Sequence, residues 1–363
     1  MNEKLNKKLK IGIACHSFRL DGGMGRYVLL LTQGLLELGY TPVIISKKFD
    51  KSLPEYSKIL PVHIDCRWLP TKIRDFYFNW RLGKYRKDNQ LDLVISCNRN
   101  EHSDIMICGG THKCFLEAMN RKPSFFDKLQ IDLETKAYAA SRMIVAHSKN
   151  IQIELNSSYA ISNEKILQLY PPVSFKNFYP TNQVERIKLR EKFSFPKDKI
   201  VFVLPSAGNH YVKGLDLIAK YFSETDLPVL LAVAGRPIPT GYKNVIQMGF
   251  QKNMREVYQA ADFTVLPSRY EAFGQVTIES LCCNTPVLLS KSVGSAEVID
   301  DKAKIVFDWS KANSFDSALR SAVQKARSSS PMIVDGSKLF EVSVDIKEHV
   351  FEILSSFDVY SKR

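Results

Sequence analysis

The sequence predicts an α/β protein made of two doubly wound domains in tandem, and three observations carry that reading. Strand-length apolar runs alternate with helical patterns, the mark of a parallel sheet covered by helices. The alternation stops at Pro171 and Pro172 and restarts beyond a polar stretch. Each half places a glycine-rich loop after its first apolar run, where such sheets hold their ligands.

The chain has 363 residues, and a domain takes ~100–200. With 45% hydrophobic and 25% charged residues, it has apolar surface enough for two cores and no disordered or fibrous bias. In the first half, strands are expected at residues 9–15, 42–46, 91–96, 105–108, 142–146 and 166–169. Helices are expected at 24–38, closed by Gly39, and at 128–140. A linker is expected over the polar residues 177–199. The second half then reads as strand 200–204, helix 214–222, strands 229–234 and 245–248, helix 253–260, strand 263–267, helix 274–283 and strand 286–289. Residues 338–356 have helical spacing and could pack back on the first domain. The expected domains are residues 1–170 and 171–340, facing a central cleft, with 341–363 as the terminal helix.

The net charge of +13 comes from 51 Lys and Arg against 38 Asp and Glu. Beyond solubility it points to an anionic partner, whether a phosphorylated substrate, an acidic membrane or nucleic acid. The seven cysteines form no Cys-x-x-Cys pair; their odd number and apolar surroundings argue against a disulfide framework or zinc site and favour a reducing cytosol. The apolar run at 11–15 is too short for a signal peptide. No apolar stretch approaches the ~18 residues needed to span a bilayer, so any membrane association is expected to be peripheral.

Three loops carry candidate chemistry. After the first strand, Gly22, Gly23 and Gly25 precede a helix; their bare backbone and the helix N-terminus suit a phosphate. A nicotinamide fingerprint is disfavoured, because the second strand ends in Ser46-Lys47-Lys48 and not in an acid. After the strand ending at Leu204, Asn209, His210, Lys213 and Gly214 stand at a helix start, and Lys213 is placed to hold a diphosphate as a point charge. After Pro267, Glu271 lies in the loop and Glu279 on the following helix, at most ~12 Å apart along its axis. Two acceptor-only carboxylates at that spacing suit two groups of hydroxyls on one long ligand. Gly274 leaves helix N–H groups free between them. No Asp-x-Asp occurs, which removes the usual carboxylate pair for a divalent metal; no metal and no cofactor beyond a co-substrate is expected.

These residues resemble the retaining glycosyltransferases of family 4, which have the two-domain GT-B fold. Glu271 and Glu279 match the Glu-x7-Glu pattern, Gly22 and Gly23 the early Gly-Gly, and Lys213 and Gly214 the Lys-Gly of the second domain. Within the family, Ser206 to Leu215 and the run Gly109-Gly-Thr-His112 look most like the lipopolysaccharide core glucosyltransferases. The resemblance implies that Glu279 holds the ribose, Glu271 the donor sugar, and Gly23 and Lys213 the diphosphate. It also implies that Phe273, Gly274, Gln275 and Val276 contribute backbone groups. His112, a structural turn residue on its own showing, would orient the donor sugar, so that His112, Glu271 and Lys213 form the catalytic set. Relatives often carry an arginine where this chain has Asn209 and His210; the alternatives are a less positive diphosphate site or compensation by Arg236.

Residues 67–87, from Arg67 to Lys87, hold seven basic residues, one acid and six aromatics. That mixture suits an anionic membrane interface, nucleic acid, or a helix packed on its own domain. The resemblance favours the membrane and no nucleic acid. The implied activity is transfer of a hexose, glucose favoured, from a UDP-sugar to a lipopolysaccharide core or related glycolipid, in the cytoplasm at the inner membrane face. Capsule or other polysaccharide assembly is the alternative, and a non-catalytic basic binding protein the reading from another class.

Overall fold

The structure is a computed structural model and describes residues 9–20, 22–173, 177–328, 332–333, 335–343 and 345–360. The chain divides into two compact units. One runs to Pro172 and takes up the chain again from Asp345; the other is the stretch between.

The first unit runs β1 (Ile11–Cys15), α1 (Gly22–Glu37), β2 (Val43–Ser46), β3 (Leu60–His63), α2 (Arg74–Asn89), β4 (Leu93–Ser96), β5 (Ile105–Cys108), α3 (His112–Ala118), α4 (Phe125–Ala140), β6 (Met143–Ala146), α5 (Lys149–Tyr159) and β7 (Ile166–Gln168). Its strands pair in the order β3-β2-β1-β4-β5-β6-β7, all parallel. A parallel sheet is buried on both faces and therefore reads as continuous Val and Ile runs. Residues Ile11–Cys15, Val43–Ser46 and Leu93–Ser96 are such runs, buried at every position.

The second unit runs α6 (Gln183–Lys192), β8 (Ile200–Ser206), α7 (Leu215–Glu224), β9 (Val229–Gly235), β10 (Val245–Gly249), α8 (Met254–Ala260), β11 (Phe263–Leu266), α9 (Gln275–Cys282), β12 (Val287–Ser290), β13 (Lys304–Phe307) and α10 (Ser314–Ala326). Its parallel sheet has the order β10-β9-β8-β11-β12-β13.

The last helix, α11 (Ile346–Tyr360), packs on α1. Gly34 lets them meet: a Cβ there would stand 2.4 Å from a Val350 methyl and 2.8 Å from the Ile346 carbonyl oxygen. Three expectations are corrected. The helix at the C-terminus begins at Ile346 and not at 338, because the Asp345 carboxylate accepts from the N–H groups of Lys347 and Glu348 and starts it there. The polar stretch 177–199 is not only linker, since it contains α6. That helix is capped by Asn182 and pinned by Arg186 and Arg190, which both grip Asp262 at 2.6 and 3.0 Å. And α1 begins at Gly22, so Gly22 and Gly23 form its first turn instead of preceding it.

None of the seven cysteines is in a disulfide; Cys114 is partly accessible and the other six are buried. Among the described residues no helix is long and apolar enough to cross a membrane.

Candidate active site

In the second unit the order of strands reverses between β8 and β11, and the loops leaving these two strands carry the predicted residues. Gly214 brings the loops together. It sits at φ +72°, and a Cβ there would lie 2.2 Å from the Pro267 carbonyl oxygen. Only glycine lets the turn holding Lys213 press against the end of β11. The contact is then stitched. Arg269 N–H donates to the Val212 carbonyl at 2.9 Å, its guanidinium forks onto Asp216 at 2.7 and 2.8 Å, and it lies over the Tyr211 ring at 3.9 Å.

Lys213 Nζ pairs with Glu271 Oε2. The two residues that the sequence assigned to diphosphate and sugar thus hold each other, each about one-fifth exposed (23% and 20%). Glu271 is fixed along its backbone by a parallel bridge to Val293 and by the Gly294 N–H, 3.1 Å from its carbonyl. Gly274 caps α9 at φ +91°, with Glu271 Cγ 3.3 Å from where its Cβ would be. The first turn of α9 starts at Gln275 and Val276, and its Thr277 N–H donates to the Gly274 carbonyl at 3.0 Å. Phe273 is 3% exposed, and Val276 is partly buried against the cluster that includes Val203, Ala234 and Tyr258.

Glu279 lies one turn further along α9 and is buried. Tyr258 OH donates to its Oε2 at 3.2 Å, so an acid in an apolar helix is matched by a hydroxyl, as a buried carboxylate requires.

Asn209 and His210 shape the loop. Asn209 Oδ1 accepts from Tyr211 N–H at 2.9 Å, and the His210 ring is braced between Ser206 Oγ (2.7 Å) and the Pro237 carbonyl (2.9 Å). Arg236 follows β9 with an exposed side chain. Its N–H donates to the Ser206 carbonyl at 3.1 Å; Gly235, at φ +144°, permits that approach.

The other predicted residues belong to the first unit. Gly22 lies at φ +64°, and a Cβ at Gly22 or Gly23 would meet nothing within 4 Å. Packing does not require Gly23, which leaves room for a ligand against its backbone. The Met24 methyl, one residue on, would be 2.7 Å from a Cβ at Gly109. The loops after β1 and β5 are therefore neighbours.

His112 opens α3 behind the Thr111 cap. Its Nε2 lies 2.9 Å from Asp127 Oδ1. The Ser124 hydroxyl and N–H, with His112 in support, hold the Asp127 carboxyl down to about 2. An ionised carboxylate only accepts, so Nε2 is the donor to Asp127. The His112 N–H donates to Glu134 at 2.9 Å. Glu134 is 1% exposed and also accepts from Arg99 Nε at 2.8 Å, Tyr159 OH, and Tyr138 OH at 3.3 Å. Sequence reasoning missed Asp127 and Glu134. They sit 15 and 22 residues from His112, and no local pattern links them to it.

Two parallel α/β domains of this kind constitute the GT-B architecture. WaaG, a glycosyltransferase involved in lipopolysaccharide biosynthesis, superposes with a TM-score of 0.77 at 16% identity over 97% of this chain and 96% of its own. Anabaena HepE in complex with UDP and glucose gives 0.74 at 14% over 96% of this chain and 100% of its own. The family "Glycosyltransferase Family 4" matches residues 21–176 and "Glycosyl transferases group 1" matches residues 185–334. A probable transglycosylase of Burkholderia thailandensis is 38% identical over 349 residues, covering 95% of this chain and 96% of that protein. The chain belongs to the GT4-type glycosyltransferases.

Proposed function

We propose that this enzyme is a retaining, metal-independent hexosyltransferase that takes its sugar, glucose favoured, from a UDP-sugar and adds it to a lipopolysaccharide core or related glycolipid. The observation that carries this is the Lys213–Glu271 pair beside the N-terminus of α9. A diphosphate entering there takes the ammonium from Glu271, and the freed carboxylate accepts from sugar hydroxyls. The N-terminus of α9 adds favourable dipole charge without a metal, with Arg236 as a further cation for the diphosphate. Glu279 is assigned to the ribose. Departure of UDP is stabilised electrostatically while the acceptor hydroxyl attacks from the same face. HepE, whose fold this chain shares, has been crystallised with UDP and glucose, and WaaG works in lipopolysaccharide biosynthesis; both support the choice of donor and acceptor.

A thermal-shift screen tests the donor. UDP and UDP-glucose at ~100 times Kd are expected to add ~2.7 kcal/mol to stability, and GDP-mannose much less. A melting temperature unmoved by every nucleotide would sink the proposal.

The acceptor is placed at an anionic membrane surface, in the cytoplasm. α2 buries Phe78 and Leu82 completely and turns Trp80 (58% exposed) outward; Trp80 and Trp68 (67%) flank the Tyr77 ring, and Phe125 (69%) is exposed as well. Arg81 lies 6.0 Å from the Trp80 ring, and Lys72 lies 4.0 Å over that of Phe126. Packing occupies one face of α2 and leaves the other for the membrane contact proposed here. Trp80→Ala with Arg81→Glu is expected to weaken sedimentation with anionic liposomes and to leave UDP binding intact; unchanged sedimentation would refute the membrane assignment.

A further inference from the structure

The first unit has its own reversal of strand order, between β1 and β4, and a cluster of charged side chains surrounds it. His16 follows β1, Lys47 follows β2 and Arg99 follows β4; Asp75 stands in the first turn of α2. Asp75 Oδ1 binds Lys47 Nζ and lies 3.7 Å from His16 Nδ1. Arg99 is near enough to act electrostatically on both His16 and Asp75.

The fold builds Arg99 into this position. Its neighbours Asn98 and Asn100 are buried (7% and 0%) and bond back to Ser96 Oγ. The Cys97 N–H is fixed to the Ala14 carbonyl at 2.8 Å. Arg99 alone in that turn reaches outward, with its side chain 30% exposed and its Nε anchored on Glu134.

Donors outnumber acceptors here. Arg99 uses one of its five N–H groups, and its two terminal nitrogens bond to no described residue. Among the described residues Lys47 bonds through Nζ to Asp75 alone. Glu134 is already saturated by four donors and lies beneath the surface, and Asp75 is matched by Lys47. A ligand that only accepts, and accepts at two points, completes such a set; a neutral sugar, which must also donate, does not.

We propose that this crevice reads an oxyanion, a phosphate or a carboxylate, on the acceptor substrate, with Arg99 as the fork and Lys47 and His16 as supporting donors. Only the word acceptor rests on the transferase reading above; the anion site stands on the first unit alone.

The test is calorimetric titration of the full-length chain with glucose 6-phosphate, glucuronate and glucose, with UDP saturating so that Lys213 is occupied. At least one anion is expected to bind ten times more tightly than glucose, and Arg99→Gln to remove that preference. Arg99→Lys, a point charge without the fork, should restore part of it. Preference for glucose 6-phosphate assigns the anion as phosphate, preference for glucuronate as carboxylate. Since Arg99 also neutralises buried Glu134, its loss could unfold the unit. Lys47→Gln does not touch Glu134 and decides in that case, with an expected loss of at least threefold. Anions binding no better than glucose, or a folded Arg99→Gln that keeps the preference, would overturn the site. Failure of UDP to bind counts instead against the donor assignment, and the anion titration is then read without it.

Discussion

Lys213→Ala is expected to lower kcat/KM for UDP-sugar-dependent transfer by about a hundred- to a thousand-fold, the range found when one preorganised donor to a developing oxyanion is removed. The loss should exceed that of a cation alone. With Lys213 gone, Glu271 has no counter-charge and faces the incoming diphosphate with its own negative charge. Glu271→Gln should do something different. It frees the ammonium, so UDP by itself is expected to bind more tightly than to the wild type, while transfer still falls because the sugar loses its carboxylate. The pair is in direct contact, so the two changes should not add. Lys213→Ala with Glu271→Gln should bind UDP better than Lys213→Ala alone, since the repulsion has been removed. Calorimetry with UDP and a coupled assay of UDP release separate these outcomes. A double variant that binds UDP no better than the single lysine variant would refute the hand-over of Lys213 from carboxylate to diphosphate.

Lys213, Glu271 and Gly274 were legible in the sequence because the features that mark them are local. A glycine and a charge at the end of an apolar run lie within one loop, and a parallel sheet brings such loops to one edge by construction. The strands were legible for the same reason, each being one uninterrupted run of buried residues. β3 escaped notice because it is an edge strand; Leu60–His63 has no buried position and contains a proline. α6 was read as linker because its polar residues do the holding: two arginines reach Asp262 across more than 70 residues of chain. The surroundings of His112 were hidden likewise. Its Asp127 and Glu134 partners, and the Arg99 that neutralises Glu134, are joined only when β4, β5 and α4 come together. Composition found the exposed face of α2, but only the fold separated Trp80 from the buried Phe78 two residues away.

Acid should destabilise the first unit well above the pH at which carboxylates begin to protonate. Tyr27 of α1 bonds through its hydroxyl to His349 Nε2 of α11 at 2.9 Å, and the His147 ring lies edge-on to Tyr27 at 4.5 Å. His147 and His349 are 5% and 1% exposed, and His147 Nε2 and His349 Nδ1 have no partner among the described residues. Burial with no acceptor for a second proton holds His147 down to about 3 and His349 down to about 4. Unfolding exposes both rings to water, where they take up protons below ~6.5. A folded-state value below the unfolded one means the unfolded chain binds more protons, so the contribution is complete above about pH 6.5 and is lost as pH falls. At pH 5 each ring favours the unfolded chain by ~2 kcal/mol, ~4 kcal/mol together. The melting temperature should therefore drop steeply between pH 7 and pH 5, before the carboxylates contribute. His147→Leu removes a buried nitrogen without a partner; it should cost little at pH 7.5 and remove about half of that slope. A slope unchanged in His147→Leu would show that the pair does not remain neutral in the fold. Because His349 rides on α11, the same measurement asks whether acid releases the terminal helix first. Loss of helix signal ahead of the main transition, absent when Val350→Ala has already loosened the Gly34 contact, would place the first opening there.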